Sequence, residues 1–409
     1  MFYEILGFLL GSLGRKGGFM NTEIIEGCLG EVGGAAGCAD GNIKVSVVMP
    51  IYNAYAYLRP ALDSVLDQSL RELELICVDD GSDDGSVEII EEYKSRDSRI
   101  RVVKQENGGP AKVRNSGLAI ARGEYVAFLD ADDFFELDLL EKLYGIAVRD
   151  DLDIAIAKYD IYNSKKARFR ANAEAPESEI YEVGGVTSKN EHPEKILQSA
   201  SGFAWDKLFR RSFLLEKKIS FLEDVKMFED VYFTVCALAF AERVGKVQCV
   251  LVHHRIHSEQ TRAKVYKKFL SQVPLVYVKI KEFLMKGGMY QPLHTGFFRL
   301  SVSRCYYVFN LIASDAKDDF WNLIHNEYAE ALDWQERDIE CITDDNQQSF
   351  LSHILLYDYR EYKKRLSRGA SRPRKDRMKT YIVRHKKREK FKAFLSRLFG
   401  RKVKDGAEK

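Results

Sequence analysis

YVAFLDADD, residues 125–133, sets five apolar or aromatic residues, Tyr125 to Leu129, directly before three carboxylates within four positions: Asp130, Asp132 and Asp133. An apolar run of this length suits a strand buried on both faces of a parallel sheet. Acids at its C-terminal end then stand in the crevice beyond the strand ends, where open α/β sheets bind ligands. Carboxylates this close repel one another, and a divalent cation relieves the repulsion. Mg²⁺ or Mn²⁺ prefers oxygen ligands, and Mg²⁺ takes one or two carboxylates together with phosphate oxygens. The competing reading is a solvated acidic turn that caps the next helix.

The segments upstream favour the sheet. Val45 to Met49 is a β-branched run ended by Pro50, hence a first strand, and Pro50-Ile51-Tyr52-Asn53 is a turn. Leu58, Leu62, Val65 and Leu66 recur at helical spacing up to Gln68. Leu73 to Val78 is a second buried strand ending in Asp79-Asp80-Gly81-Ser82, and the next helix opens near Ser86. Ile100 to Val103 is a third strand, followed by Asn107-Gly108-Gly109-Pro110 and a helix leading to Gly123. Strands alternating with helices predict a parallel, right-handed α/β sheet of nucleotide-binding type. Each strand delivers polar residues to the same edge: Tyr52 and Asn53, Asp79 and Asp80, Asn107, then Asp130 and Asp132. That edge is a site.

No GxGxxG follows the first strand and no GxxxxGK[ST] occurs, which excludes the dinucleotide fold and the P-loop enzymes. A carboxylate such as Asp79 can accept a base N–H, Tyr52 can stack on a base, and a metal at Asp132 can take a diphosphate. Asp79 to Ser82 taken alone equally suits a plain turn. A sugar-phosphate nucleotidyltransferase would need a Gly-rich phosphate loop where Pro50 to Asn53 stands.

Val47 to Asn53 (VVMPIYN), Cys77 to Ser86 (CVDDGSDDGS), Asn107 to Gly117 (NGGPAKVRNSG) and Gly123 to Asp133 (GEYVAFLDADD) together resemble inverting family 2 glycosyltransferases. The resemblance implies a GT-A fold and a nucleotide-sugar donor, most often a UDP-sugar. It implies that Pro50, Tyr52 and Asp79 line the nucleoside with Asp80 close by, and that Arg114 approaches the ribose or diphosphate. It also makes Asp130-Ala131-Asp132 the DXD element, with Asp132 as the direct ligand of a divalent metal. Lys112-Val113 departs from the small residue usual before Arg-Asn in the family; only a change in local packing is expected there.

A second block carries the same resemblance: AWDKLFR from Ala204 to Arg210, ISF from Ile219 to Phe221, and MFED from Met227 to Asp230. An acceptor hydroxyl is a poor nucleophile near neutral pH, so a positioned base must take its proton as it attacks the anomeric carbon. The resemblance gives that role to Asp230, with Glu229 supporting it or positioning the acceptor. An N-terminal helix cap is the structural alternative, since Val231 to Ala241 is helical and acids favour that position. Trp205 is either a wall of the acceptor pocket or a core tryptophan. In Val250 to Thr261 (VLVHHRIHSEQT), Arg255, His257 and Ser258 loosely match a run that closes over the diphosphate, with His254 at its usual aromatic position. One short extended segment does not close a tetrahedral zinc site from these histidines.

The chain of 409 residues with 45% hydrophobic content supports two or three domains. The expected division is an unassigned segment 1–42, a glycosyltransferase domain 43–262 with donor half 43–133 and acceptor half 134–262, a helical accessory domain 263–362, and a basic tail 363–409. The first segment is Gly-rich and expected to be disordered. It lacks the positive leader and cleavage site of a secretion signal, and Met20 is a candidate start. The 7 cysteines form no CxxC pair, which reads as reduced thiols of a cytoplasmic protein. No apolar run reaches the roughly 20 residues that span a bilayer. Stripes such as Phe269, Val273, Val276, Ile280 and Phe283 are core positions of the helical region, which shapes the acceptor site or offers a homo-oligomer contact.

The net charge of +2 hides an asymmetry: Arg360 to Lys404 holds 20 Lys and Arg against 3 Asp and Glu. Thr380 to Phe399 reads as a basic amphipathic helix, and such helices bind anionic membrane surfaces. Nucleic acid is the rival partner and is disfavoured, because the family glycosylates lipid-linked acceptors; a solvated tail is the third reading. The combined expectation is a metal-dependent inverting glycosyltransferase of surface-polysaccharide or lipopolysaccharide assembly, peripheral on the inner face of the plasma membrane. The alternative from another class is a catalytically silent membrane- or nucleic-acid-binding protein of the same fold.

Overall fold

The computed structural model describes residues 43–171, 180, 185–257 and 269–367. The N-terminal extension, Ser258 and the expected tail helix lie outside the described residues. Described residues up to Tyr307 form one compact unit and those from Val308 a second, the division falling within the helix His294–Leu311.

The donor half is built as the alternation requires. β1 (Val45–Ile51) leads to α1 (Tyr55–Leu66), β2 (Leu73–Asp79) to α2 (Ser86–Arg96), and β3 (Ile100–Lys104) to α3 (Pro110–Ile120), which returns to β4 (Tyr125–Phe128). β1, β2 and β4 are buried along nearly their whole length. β1 runs through Pro50 rather than stopping before it. It pairs with β2 as far as Ile51 but with β4 only as far as Val48, so the donor that proline lacks falls where β4 has already ended.

After β4 come β5 (Phe134–Phe135), α4 (Leu139–Arg149), β6 (Ile154–Asn163), β7 (Arg168–Ala171), β8 (Val186–Thr187), β9 (Lys207–Arg210), α5 (Arg211–Glu216), α6 (Glu229–Phe240) and β10 (Val244–Ile256). The sheet order is β3-β2-β1-β4-β9-β6-β10-β5, with β7 on β6 and β8 on β10. The first four strands are parallel to one another, and β9 enters antiparallel between β4 and β6. This is a GT-A fold.

Two features lock the sheet. At the strand starts, the buried Glu74 accepts from Ser46 Oγ (2.7 Å), Arg122 N (2.7 Å) and Nη2 (3.0 Å), and Arg101 Nη1 (3.1 Å). These donors hold its carboxyl below the usual range although burial alone would raise it. Between the two halves, Phe128 of β4, Phe209 of β9, Phe233 of α6 and Phe221 pack edge-to-face and stacked at 4.1–6.2 Å between centroids. α7 (Gln272–Lys286) packs on α6. In the second unit, helices Lys317–Leu323, Asp345–Ile354 and Tyr359–Ser367 gather around Trp321, which stacks on Tyr362 at 4.2 Å.

Candidate functional site

The site edge begins where β1 ends. Tyr52 is 57% exposed and Pro50 half-buried at the mouth. Asn53 adopts φ 49°, a left-handed conformation that asparagine tolerates. Its amide side chain pairs with Asp83, donating through Nδ2 to Oδ1 (2.9 Å) and accepting from the Asp83 N–H (3.0 Å). Asp79 is buried and accepts from the N–H groups of Gly81 (3.3 Å) and Ser82 (3.2 Å), a turn closed by its own side chain.

Asp80 has a different task. Its carboxylate accepts from Gln105 Nε2 and from the backbone N–H groups of Gly108 and Gly109, each at 2.8 Å, while Asn107 Nδ2 donates to its carbonyl at 3.1 Å. Asp80 therefore shapes the loop that enters α3 and has its oxygens occupied by protein donors. Gly109 turns there at φ 86°, where a side chain would be strained.

The three acids after β4 divide their work. Asp130 Oδ1 meets Arg114 Nη2 at 2.6 Å. Ala131 is buried beneath the turn. Asp132 Oδ2 lies 3.0 Å from His257 Nε2, and its carbonyl accepts from Arg255 Nε at 2.7 Å. Asp133 is fully buried, accepts the Arg255 N–H at 2.8 Å and lies 3.1 Å from His254 Nδ1. Burial pushes the Asp133 carboxyl up to about 6, opposed by the His254 charge and reinforced by Asp132. Burial would raise Asp132 too, but the His257 hydrogen bond and the His254 charge hold it below the usual carboxylate range.

β10 and the residue that follows it bring three histidines to four different carboxylates. Its side chains alternate between faces, so His253 bonds Asp160 (2.6 Å) and Glu136 (2.9 Å), away from His254 on Asp133. His257 reaches Asp132 and packs on Tyr57 at 4.2 Å. The Arg255 guanidinium is boxed by the rings of Phe134 (5.0 Å), Tyr162 (5.2 Å) and Tyr57 (5.5 Å), so this arginine props the acidic turn.

Glu229 and Asp230 open α6 immediately after Phe228, which is held at φ 68°. Glu229 is buried, and its Oε1 accepts from Arg114 Nη1 at 2.8 Å. Asp230 is half-buried and its Oδ1 accepts the Val231 N–H at 2.7 Å. Arg114 thus joins the acid of one motif to the acid of the other. Burial disfavours its charge, but the fields of Asp130, Glu229 and Asp230 outweigh this and raise its pKa.

Trp205 is buried in an aromatic column, 4.6 Å from Phe203 and 5.5 Å from His254, both nearly parallel to it. Beneath it, the fully buried Lys207 donates to Ser201 O (2.8 Å), Ser201 Oγ (2.9 Å), Phe203 O (2.7 Å) and Asp206 Oδ1 (2.5 Å). This knot, the anchoring role of Asp133 and the His254 contact were not assigned from sequence. The alternation of VLVHHRIH was the available signal for His254.

Among the described residues no group of three or more His, Cys, Asp or Glu is assembled as a complete metal site. The donor set still fits a divalent cation. Asp132 and Asp130 keep 28% and 24% of their side chains exposed while Asp133 is closed off. Two partly exposed carboxylates suit an ion that draws its remaining ligands from water and phosphate oxygens.

The family model for glycosyl transferase family 2 matches residues 46–214, from β1 to α5. EpsH of Bacillus subtilis (strain 168) is 34% identical over 247 residues, 60% of this chain and 70% of that protein. Glycosyltransferase GlyA of Streptococcus pneumoniae is 32% identical over 216 residues, 52% of this chain and 30% of that protein. Among solved structures, S. aureus TarS 1-349 in complex with UDP-GlcNAc superposes with a TM-score of 0.63 at 24% identity, covering 80% of this chain and 92% of that one. The chain belongs to glycosyl transferase family 2 and is a glycosyltransferase.

Proposed function

We propose that the protein transfers a sugar from a UDP-sugar to a hydroxyl of a glycan or lipid-linked acceptor in surface-polysaccharide assembly, inverting the anomeric centre. The observation that carries this reading is the Arg114 fork, which brings the Asp130 and Glu229 motifs within reach of a single side chain. Asp79 and the exposed ring of Tyr52, beside Pro50, Asn53 and Asn107, suit a nucleoside, and Asp80 keeps the neighbouring loop in shape. Asp132 and Asp130 would hold a divalent cation, Mn²⁺ or Mg²⁺, which supplies charge neutralisation for the departing diphosphate. Asp230 takes the proton of the attacking hydroxyl, and Glu229 beside it keeps the acceptor side anionic and ordered. Direct displacement needs no protein nucleophile, and none is invoked.

UDP as the nucleotide is supported by TarS, solved with UDP-GlcNAc, and a polyol-phosphate or glycan acceptor by the 31% identical poly(ribitol-phosphate) beta-glucosyltransferase of Bacillus spizizenii, of which this chain spans 31%. No described helix is long and apolar enough to cross a membrane. Peripheral attachment through the basic tail is the arrangement that brings such a chain to a lipid-linked acceptor.

The test is nucleotide release from a panel of sugar nucleotides with Mn²⁺ or Mg²⁺ and then with chelator. Release from one UDP-sugar, lost in Asp132→Asn and in Asp230→Asn with the fold retained, is the expected result. A folded protein that neither binds nor turns over any sugar nucleotide overturns the donor site.

A further inference from the structure

Arg114 places both terminal nitrogens on protein carboxylates, while its buried Nε has no hydrogen-bond partner among the described residues. Nη2 meets Asp130 at 2.6 Å, Nη1 meets Glu229 at 2.8 Å, and the guanidinium lies over the Phe221 ring at 5.4 Å. Only 7% of the side chain is exposed. The next residue repeats the connection at backbone level. Asn115 donates to the Phe221 carbonyl (3.0 Å) and to Glu223 (2.8 Å), and accepts the Phe221 N–H (2.8 Å). Adjacent residues of α3 therefore grip both the acidic turn after β4 and the segment that leads into α6.

We propose that Arg114 is a positioning residue that clamps Glu229, and with it Asp230, against Asp130, and that it is not a contact for the donor. The inference rests on Asp230 being the base. Asp130, Glu229 and Asp230 share the field of this guanidinium, and without it three carboxylates would repel one another apart. A planar guanidinium fixes two acceptors in direction as well as charge, which an ammonium on a flexible stem does not. Buried with both terminal nitrogens on carboxylates, Arg114 presents little surface to a diphosphate.

Arg114→Lys keeps the charge and removes the two-point geometry. With UDP release from the donor as one readout and calorimetric binding of UDP with Mn²⁺ as the other, kcat is expected to fall about 10- to 100-fold while the UDP Kd moves less than about threefold. In a Glu229→Gln background the same change should add less than about threefold, because the contact it breaks is already gone. A tenfold loss of UDP affinity, or a full additional loss in that background, makes Arg114 a donor contact and overturns the proposal. Should Arg114→Lys not fold, Glu229→Gln alone decides: lowered kcat at unchanged UDP affinity supports the clamp, and unchanged turnover overturns it. Full turnover in Asp230→Asn would remove Asp230 as the base while leaving the clamp on Glu229 to be read from the same cycle. A folded wild-type protein that neither binds nor releases UDP from any donor removes both.

Discussion

Asp133 accepts the backbone N–H of Arg255 at 2.8 Å, fastening the acidic turn after β4 to the end of β10 across 122 residues of chain. The third carboxylate of the motif is therefore a buried anchor, while the two before it meet Arg114 and His257 and stay partly exposed.

Asp133→Ala leaves the Arg255 N–H without its acceptor in a dry site. Loss of about 1–3 kcal/mol of stability is expected from stranding one such donor. UDP affinity with Mn²⁺ should also fall although Asp130 and Asp132 are intact. Urea denaturation and calorimetry on the same preparation check both. Unaltered UDP binding would separate the anchor from the site.

The Asp206–Lys207 pair has 2% and 0% of its side chains exposed. Burial raises the carboxyl and lowers the ammonium, and their mutual attraction opposes both shifts. Lys207→Met strands a buried carboxylate, a change that costs about 3–5 kcal/mol in comparable pairs. Adding Asp206→Asn to Lys207→Met should recover part of that loss. Equal stability of the single and double variants in urea would count against the pair as the knot of this loop.

His253 packs against a tilted Phe134 at 4.8 Å and edge-to-face on Phe169 at 4.9 Å, and is bonded to Asp160 and Glu136. Burial would lower its pKa, but the two carboxylates win and raise it above 6.5. A raised folded pKa means that protonation favours the folded state. The contribution is complete below the unfolded value of 6.5 and fades as pH rises through the folded value. The stability gap between wild type and His253→Gln should accordingly be widest on the acid side and narrow towards alkaline pH. A gap that widens with pH would reverse the assigned charge state.

Gly117 lies on α3 against β1, and a Cβ there would sit 2.3 Å from Val48 Cγ1. The buried strand cannot retreat, so Gly117→Ala should destabilise by about 1–3 kcal/mol, as overpacked cores do. Gly117→Ala with Val48→Ala should regain most of it in thermal unfolding. No rescue would place the strain elsewhere in the helix.

The alternation of strands and helices from Val45 to Asp133 was legible in the sequence, because each of these strands is an apolar run bounded by turn residues and each crossover is local. The edge that carries Tyr52, Asp79, Asn107 and the acidic turn follows from the same alternation, since parallel strands all end on one side. The antiparallel entry of β9 between β4 and β6 was not legible, because its pairing partners lie far away in the chain. Nor was the division of labour among neighbouring carboxylates: Asp80 and Asp133 bind backbone N–H groups, while Asp130 and Asp132 meet the side chains of Arg114 and His257 and stay partly exposed. A sequence shows which acids are present. Which of them is consumed by protein donors depends on what the fold brings within 3 Å, and for Asp130 and Glu229 that was the fork of Arg114.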